Sequence, residues 1–211
     1  MKLILLSVLQ SLLAALSQQI LQSDVTLSIT ATGSQPMTYA GSLLMQGENF
    51  RAAMLGITAA YDGQTLYVYQ PESDELTIST PSREDLQQTN PLIFVKSVVP
   101  LCTASERPAK NPSETLVTLT PANSGKSGNI ASTNKNAGTF DAGALADVRS
   151  ITIRVRNSDS MPLSVELRET KTTNLLTLTS PSWLSSLPSA YAAPFVLSSS
   201  DFPSAFINDL R

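Results

Sequence analysis

Residues 60–80, AYDGQTLYVYQPESDELTIST, read as a β-hairpin and decide the fold class. The tripeptide YDG (61–63) is typical of a turn, and TLYVY (65–69) is typical of a strand. QPESDE (70–75) then predicts a second turn, after which LTIST (76–80) returns as the next strand. The segment therefore predicts antiparallel pairing between strands that follow one another along the chain.

The strand TLYVY has no plainly polar face. Because side chains alternate along a strand, one face carries Leu66 and Val68, and the other carries Tyr67 and Tyr69. A half-buried strand would show one apolar and one polar face. The pattern raises the question of what lies on each side of the sheet.

The rest of the chain predicts further strands of this kind. In DVTLSITAT (24–32), Val25, Leu27 and Ile29 alternate with hydroxyl side chains. Connections are short, no βαβ unit is apparent, and no glycine-rich phosphate loop follows a strand. The sequence therefore predicts a mainly β (α+β) chain built on an antiparallel sheet. The other predicted strands are 39–47, 49–56, 75–80, 114–120, 148–156, 163–169 and 174–180, with a short strand near the carboxyl end.

Two segments in the middle of the chain are predicted to cover one face of the sheet. In residues 81–91, Ser82 and Asp85 have the spacing of a capping box and predict a short helical turn. Residues 91–99, PLIFVKSVV, are apolar almost throughout and fit either a buried helix or a buried strand.

The first 22 residues allow two interpretations. Lys2 followed by a charge-free apolar run has the form of a short secretory signal peptide. At 100° per residue, however, the polar residues fall on one side, as in a mature amphipathic helix packed on a sheet, and a signal peptide has no need of that. The polar stripe is Ser7, Gln10, Ser11, Gln18 and Gln22, and the apolar side is Leu5, Leu9, Leu12, Leu13, Leu16 and Ile20.

We expect one domain over residues 1–211, with a flexible surface insertion at 121–147. This stretch is poor in apolar residues and rich in Gly, Ser, Asn and Thr, and it has no apolar period. A long connection of that composition between two strands is typical of a loop that adds little to the core.

Composition excludes several kinds of chemistry. The net charge of −3, without a Lys/Arg run, gives little support for binding nucleic acid or an anionic membrane surface. The absence of histidine excludes Ser-His-Asp and Cys-His pairs and His-ligated metals. The single cysteine, Cys102, can form no intrachain disulfide and is interpreted as a small, partly buried hydrophobe.

An enzyme such as a glycosidase would have to draw its carboxylates from predicted turns, where acids are routinely solvated. These residues are Asp62, Asp74, Glu75, Glu84 and Asp85.

A series of short motifs follows one order and spacing along the chain. They are Gly41 opening a strand, Gly47 before Phe50-Arg51, the Asp62-Gly63 turn, Tyr67 and Tyr69, Pro71, Glu75, and the Thr80-Pro81 and Asn90-Pro91 steps. Each is weak alone. Together with VLQSLLAALSQQI (8–20) and the ending SDFPSAFINDLR (200–211), they resemble the LolA family of periplasmic lipoprotein carriers. The resemblance covers most of the chain but not residues 121–147.

The chain departs from that family at one position. An arginine, commonly followed by proline, stands in the family about where this chain has Gln46-Gly47. Because that arginine is linked to opening and closing of the lid, the switch does not carry over, and nearby Arg51 is not assumed to replace it.

The resemblance implies an open antiparallel half-barrel, covered by an N-terminal helix and short helical lid segments, around an apolar cavity for acyl chains. Flexible Leu and Met side chains suit such a cavity. The expected cavity residues are Leu43, Met45, Phe50, Ala52, Met54, Leu66, Val68, Leu76 and Ile78. The expected lid or cover residues are Leu9, Leu12, Leu13 and Leu16.

The resemblance also implies a role in the periplasm of a Gram-negative bacterium. A monomeric carrier would receive acylated lipoproteins from an inner-membrane ABC exporter of the Lol type and release them to an outer-membrane acceptor. It would need no metal, cofactor or catalytic residue, and it would not bind nucleic acid. The alternative with the same fold is a periplasmic binder or sensor of another lipid or lipidated ligand.

Overall fold

The computed structural model describes residues 7–122, 145, 147–189 and 193–211. Most of these residues lie in strands. The helices are α1 (Ser7–Gln18), α2 (Arg83–Thr89) and α3 (Pro91–Val98), followed by a 3-10 turn (Val99–Leu101). The strands are β1 (Ile20–Ala31), β2 (Met37–Gln46), β3 (Asn49–Met54), β4 (Ile57–Tyr61), β5 (Leu66–Gln70), β6 (Glu75–Ser79), β7 (Cys102–Pro108), β8 (Glu114–Pro121), β9 (Val148–Arg156), β10 (Met161–Glu169), β11 (Thr172–Leu184) and β12 (Phe206–Asp209).

The described strands form one twelve-stranded sheet in the order β12-β6-β5-β4-β3-β2-β1-β11-β10-β9-β8-β7. Every neighbouring pair is antiparallel except β12 and β6, which are parallel. Within the described ranges β12 and β7 do not pair, so the sheet is open and is not closed into a barrel. The predicted mainly β, open antiparallel sheet is confirmed.

The sheet has two faces that are covered differently. We call the face that carries Leu43, Met45 and Phe50 the inner face, since α1 and α3 pack against it. The outer face is the opposite one and carries Tyr67 and Leu76. Because side chains alternate along each strand, the pairing register assigns every strand residue to one of these faces.

Helix α1 lies on the inner face. Its residues Leu9, Leu12 and Ala15 are buried, while the polar side chains at positions 7, 10, 11 and 18 are exposed. The Glu106 Oε1 atom on β7 accepts a hydrogen bond from the Leu9 backbone N–H at 2.9 Å, which satisfies one of the free donors at the helix start. The helix ends earlier than the polar stripe predicted, because Ile20 and Gln22 belong to β1.

The connection from β6 to β7 crosses the inner face, since these two strands lie toward opposite ends of the sheet. It begins with the predicted capping box at Ser82. The Ser82 Oγ atom accepts from the Asp85 N–H at 3.1 Å, and Asp85 Oδ2 accepts from the Ser82 N–H at 2.9 Å. The apolar segment 91–99 forms helix α3 and not a strand, and it continues into the 3-10 turn.

The carboxyl-terminal segment covers the outer face of β4–β6. Leu197 is 1% exposed and packs with Tyr67 and Leu76, and Phe202 stacks on Tyr69 with ring centroids 3.8 Å apart. On the inner face of TLYVY, Leu66 packs with Leu92 of α3, and on the outer face this segment packs on Tyr67 and Tyr69. Tyr67 is buried there and Tyr69 is half-buried.

Two further features differ from or fall outside the sequence prediction. Strand β7 was not predicted, because only one of its faces carries apolar side chains, Cys102 and Ala104, and both are small. The expected insertion at 121–147 falls almost entirely on residues 123–144 and 146, outside the described residues. None of the helices that the structure describes combines the length and apolar composition needed to cross a membrane.

A candidate apolar binding surface

Four of the expected cavity residues belong to a packed core on the inner face. Leu43, Met45, Phe50 and Leu66 are between 1% and 8% exposed and pack with Leu92 of α3. They fill the interior beneath the helices and present almost no surface to solvent. A ligand could reach them only if α1 or α3 moved.

Two expected cavity residues lie on the other side of the sheet. In the β5–β6 register, Leu76 pairs with Tyr69 and Ile78 with Tyr67. Leu76 and Ile78 therefore point to the outer face and pack under the carboxyl-terminal segment. The interpretation that they share a face with Leu66 and Val68 is corrected, because the turn at 71–74 shifts the alternation between the two strands.

The remaining three expected residues, Ala52, Met54 and Val68, are half-buried at the border of this core. Beyond them the inner face continues toward the end of the sheet where β3 joins β4. It remains apolar there but is only half-buried or exposed. We call this part of the inner face the upper band, which consists of Leu27, Ile29, Tyr39, Met54, Ile57 and Val68.

The register relates the members of the upper band on five strands. Leu27 pairs with Tyr39, Met54 pairs with Ile57, and Ala59 pairs with Val68. Across β2–β3 the partner of Met54 is Gly41, so Met54 and Tyr39 are diagonal neighbours. Neighbouring strands lie about 4.8 Å apart, so these side chains form one apolar surface. Leu27, Ile29 and Tyr39 belong to none of the buried clusters formed by the described residues.

The four expected cover residues of α1 fall into two pairs that pack on different parts of the inner face. Leu9 and Leu12 are buried in a cluster with Val117 and Ile153 on the β8–β9 side of the sheet. Leu13 and Leu16 are half-buried and pack against both this cluster and the core around Phe50. Helix α1 therefore bridges the two halves of the inner face.

The tip of the β3–β4 hairpin places apolar side chains at the end of the upper band. Leu55 and Gly56 form the turn with φ angles of 58° and 79°. A leucine at positive φ costs about 1–2 kcal/mol, and asparagine or glycine is usual in such turns. Leu55 and Met37 are each 56% exposed, and Ile57 is 39% exposed.

The carboxylates considered for catalysis have local structural partners. Asp62 Oδ1 accepts from the backbone N–H groups of Gln64 and Thr65 at 2.9 and 2.8 Å. The Tyr69 hydroxyl donates to Asp74 at 3.0 Å, and Glu75 accepts from Thr77 and Asn208. Asp85 caps α2, and its hydrogen bonds from Ser82 lower the pKa of the carboxyl group. Four of the five carboxylates therefore have structural hydrogen bonds within the described residues.

Two other residues from the sequence analysis are Cys102, which is partly buried, and Arg51. Burial raises the pKa of the Cys102 thiol, so the reactive thiolate is disfavoured. Arg51 pairs with Leu44 and Ala60 and therefore lies on the outer face, in a cleft of about 180 Å³ that Asp24 and Ser42 also line. It is on the opposite side of the sheet from α1 and α3.

Sequence reasoning missed four residues of the upper band: Leu27, Ile29, Tyr39 and Ile57. Their signal was present, since each alternates with polar or small residues inside a strand. They are not predicted as ligand-binding residues, because alternation predicts which residues share a face but not how far the helices extend over that face.

The fold is shared with a solved structure of very different sequence. An uncharacterized conserved protein from Thermus thermophilus superposes with a TM-score of 0.52 at 10% identity, over 96% of this chain and 97% of its own. At that identity the likeness concerns the fold alone.

Two further solved structures have lower TM-scores. The LolA superfamily protein NE2245 from Nitrosomonas europaea has a TM-score of 0.41 at 12% identity, over 87% of this chain and 94% of its own. LprF from Mycobacterium bovis has a TM-score of 0.42 at 13% identity, over 89% and 96%. These two likenesses are too weak to assign a family. No family model matches the sequence, and no curated protein matches it.

Proposed function

We propose that this protein binds the acyl chains of lipidated proteins on the upper band and carries them through the periplasm. The observation that supports this most directly is the band itself, an apolar, half-buried to exposed surface beside a packed core. An apolar surface of that kind on a folded chain is typical of an interaction site.

Burial of acyl chains supplies the binding energy in this proposal. Each methylene removed from water contributes about 0.8 kcal/mol, so even partial cover of an acyl chain by the band outweighs the loss of a few side-chain rotamers. Acyl chains have no hydrogen-bonding groups, and the band offers Leu, Ile, Met and Val side chains that can adapt to them. No catalytic residue, metal or cofactor is part of the proposal.

The carrier role also requires loading and release. The sequence resemblance to the LolA family suggests an inner-membrane ABC exporter as the donor and an outer-membrane protein as the acceptor. The protein would act as a monomeric chaperone between them. Leu13 and Leu16 of α1 pack against the same core as Met54 and Val68. An acyl chain that reaches this border of the core would contact them.

The test is competition on the purified protein. An apolar fluorescent probe should bind, and a synthetic diacylated lipopeptide should displace it, whereas the same peptide without acyl chains should not. Failure of any probe to bind, or equal displacement by the unacylated peptide, would contradict the proposal. Mass spectrometry of protein purified from its native periplasm should then identify the lipidated species that accompanies it. Recovery of a free lipid alone would instead favour the alternative function, a periplasmic binder or sensor of another lipid.

A further inference from the structure

Strand β2 extends past its neighbour β3 at the end of the sheet that carries the upper band. It pairs with β1 from Met37 onward, whereas β3 begins to pair with it only at Gly41. Among the described residues, Met37–Ala40 therefore have a strand neighbour on one side only. In an antiparallel ladder alternate residues direct N–H and C=O groups to the same side, so two of these four residues direct both groups into the vacant position.

This short edge, which Pro36 directly precedes, lacks other features by which proteins usually protect an unpaired strand. The four residues, MTYA, include no charge and no proline, and no bulge interrupts their pairing with β1. The residues that follow β3 could have filled the vacant position beside Met37–Ala40, but the chain turns at Leu55-Gly56 and forms β4. Unpaired N–H and C=O groups along an extended strand specify the backbone of another extended polypeptide.

The edge is continuous with the upper band. Tyr39 belongs to both, and its hydroxyl lies 3.6 Å from the Met37 sulfur on the inner face. An occupant with acyl chains on the band and a peptide attached to them would have that peptide at this edge. Four residues of strand span about 13 Å, enough to pair with a short extended segment.

We propose that the peptide that follows the acylated cysteine of the bound lipoprotein adds to β2 at Met37–Ala40 as an extra strand. This inference rests on the proposed function and goes beyond it. The acyl chains supply affinity on the band, and the backbone pairing distinguishes a lipidated polypeptide from a free lipid.

Amide hydrogen exchange measured by NMR tests the pairing. The two probes are palmitate and a diacylated cysteine followed by a short peptide. Both should shift the methyl signals of Leu27 and Met54. Only the lipopeptide should slow exchange, by about tenfold or more, at two alternate amides among residues 37–40, because a factor of ten corresponds to about 1.4 kcal/mol of added protection. A lipopeptide with N-methylated backbone amides should still shift the methyl signals without this protection.

The two failures are distinguishable. If the lipopeptide occupies the band but leaves all four amides exchanging as in the free protein, strand addition is wrong and the proposed function stands. If neither probe shifts the methyl signals of the band, the proposed function fails and the inference fails with it.

Discussion

The Asn90 side-chain amide donates a hydrogen bond to the backbone carbonyl oxygen of Glu48, and so joins the start of α3 to the β2–β3 turn. The Asn90 Oδ1 atom also accepts from the backbone N–H groups of Leu92 and Ile93, both at 3.1 Å. One buried side chain therefore caps the helix and anchors it to the sheet. The nearby Lys96–Glu48 ion pair joins the same two segments at the surface, at 3.2 Å.

Asn90→Ala should lower the free energy of unfolding by about 1–3 kcal/mol, because the helix loses its cap and a carbonyl oxygen loses its partner. The matched control is Lys96→Met, which removes the exposed ion pair between the same segments and should cost less than about 1 kcal/mol. Urea denaturation measures both. Equal effects of the two substitutions would show that Asn90 does not anchor α3.

Gly41→Ala should disrupt the β2–β3 pairing. A Cβ at this position would lie 2.3 Å from the Ala53 carbonyl oxygen, so the backbone itself would have to shift. We expect a loss of about 1–3 kcal/mol in the free energy of unfolding, as for other overpacked sites. Ser42→Ala, one residue on and exposed, should change it by less than about 0.5 kcal/mol. Thermal unfolding of both variants provides the comparison, and an unchanged Gly41→Ala variant would contradict the close approach of the two strands.

Met54→Asp and Met45→Asp should separate the upper band from the core. Met54 is half-buried at the border of the band, so its replacement should abolish probe and lipopeptide binding while the protein remains folded. Met45 is 2% exposed, and a charge there should unfold the chain. Circular dichroism reports folding, and probe fluorescence reports binding. A folded Met54→Asp variant that still binds lipopeptide would exclude the band as the ligand surface.

Phe202→Ala should loosen the carboxyl-terminal segment. The ring stacks on Tyr69 at an interplanar angle of 12°. Its loss should cost about 1–3 kcal/mol and increase proteolysis between residues 193 and 211. Lipopeptide binding on the inner face should be unchanged. Phe206→Ala is the matched control, since Phe206 is 69% exposed and should tolerate the change. Similar proteolysis of both variants would indicate that the stack does not hold the segment.

Stability should be flat between about pH 5 and 8, because the chain has no histidine to titrate there. Below that range it should fall. Hydrogen bonds from Arg156 lower the pKa of Asp159, and those from Arg211 lower the pKa of Asp209 to about 2. A lowered carboxyl pKa stabilises the folded state fully above the unfolded value of about 3.9, and this contribution is lost as the pH falls toward the folded value.

Above about pH 10 stability should fall again. Burial raises the pKa of Tyr61 and Tyr67, so the folded state favours the neutral phenol, and this contribution is lost as the pH rises through the folded values. Urea midpoints across the pH range measure both limbs. Asp159→Asn should reduce the loss of stability below about pH 5. The same loss of stability in the variant and the original protein would exclude a contribution from the Arg156–Asp159 pair.

The sequence predicts most of the strands, although not β4 or β7, and the capping box at Ser82, because these features depend on residues close together in the chain. It does not predict which face of the sheet each side chain reaches across a turn, and so Leu76 and Ile78 were grouped with Leu66. It also does not predict that Leu197 and Phe202 cover the tyrosines, because an irregular segment carries no periodic signal. The upper band depends on where α1 and α3 end over the sheet, which is a property of tertiary packing.

The pairing of β1 with β11 has a consequence for biosynthesis. The Ser23 hydroxyl donates to the Thr179 carbonyl oxygen at 3.1 Å, although the two residues are 156 positions apart. During translation β1 emerges early and can pair at once with β2, but its other edge has no partner until β11 has left the ribosome. A contact between residues so far apart in the sequence forms slowly, and an apolar strand edge without its partner is prone to aggregate. Nascent chains of this protein should therefore depend on a holding chaperone until β11 completes the ladder.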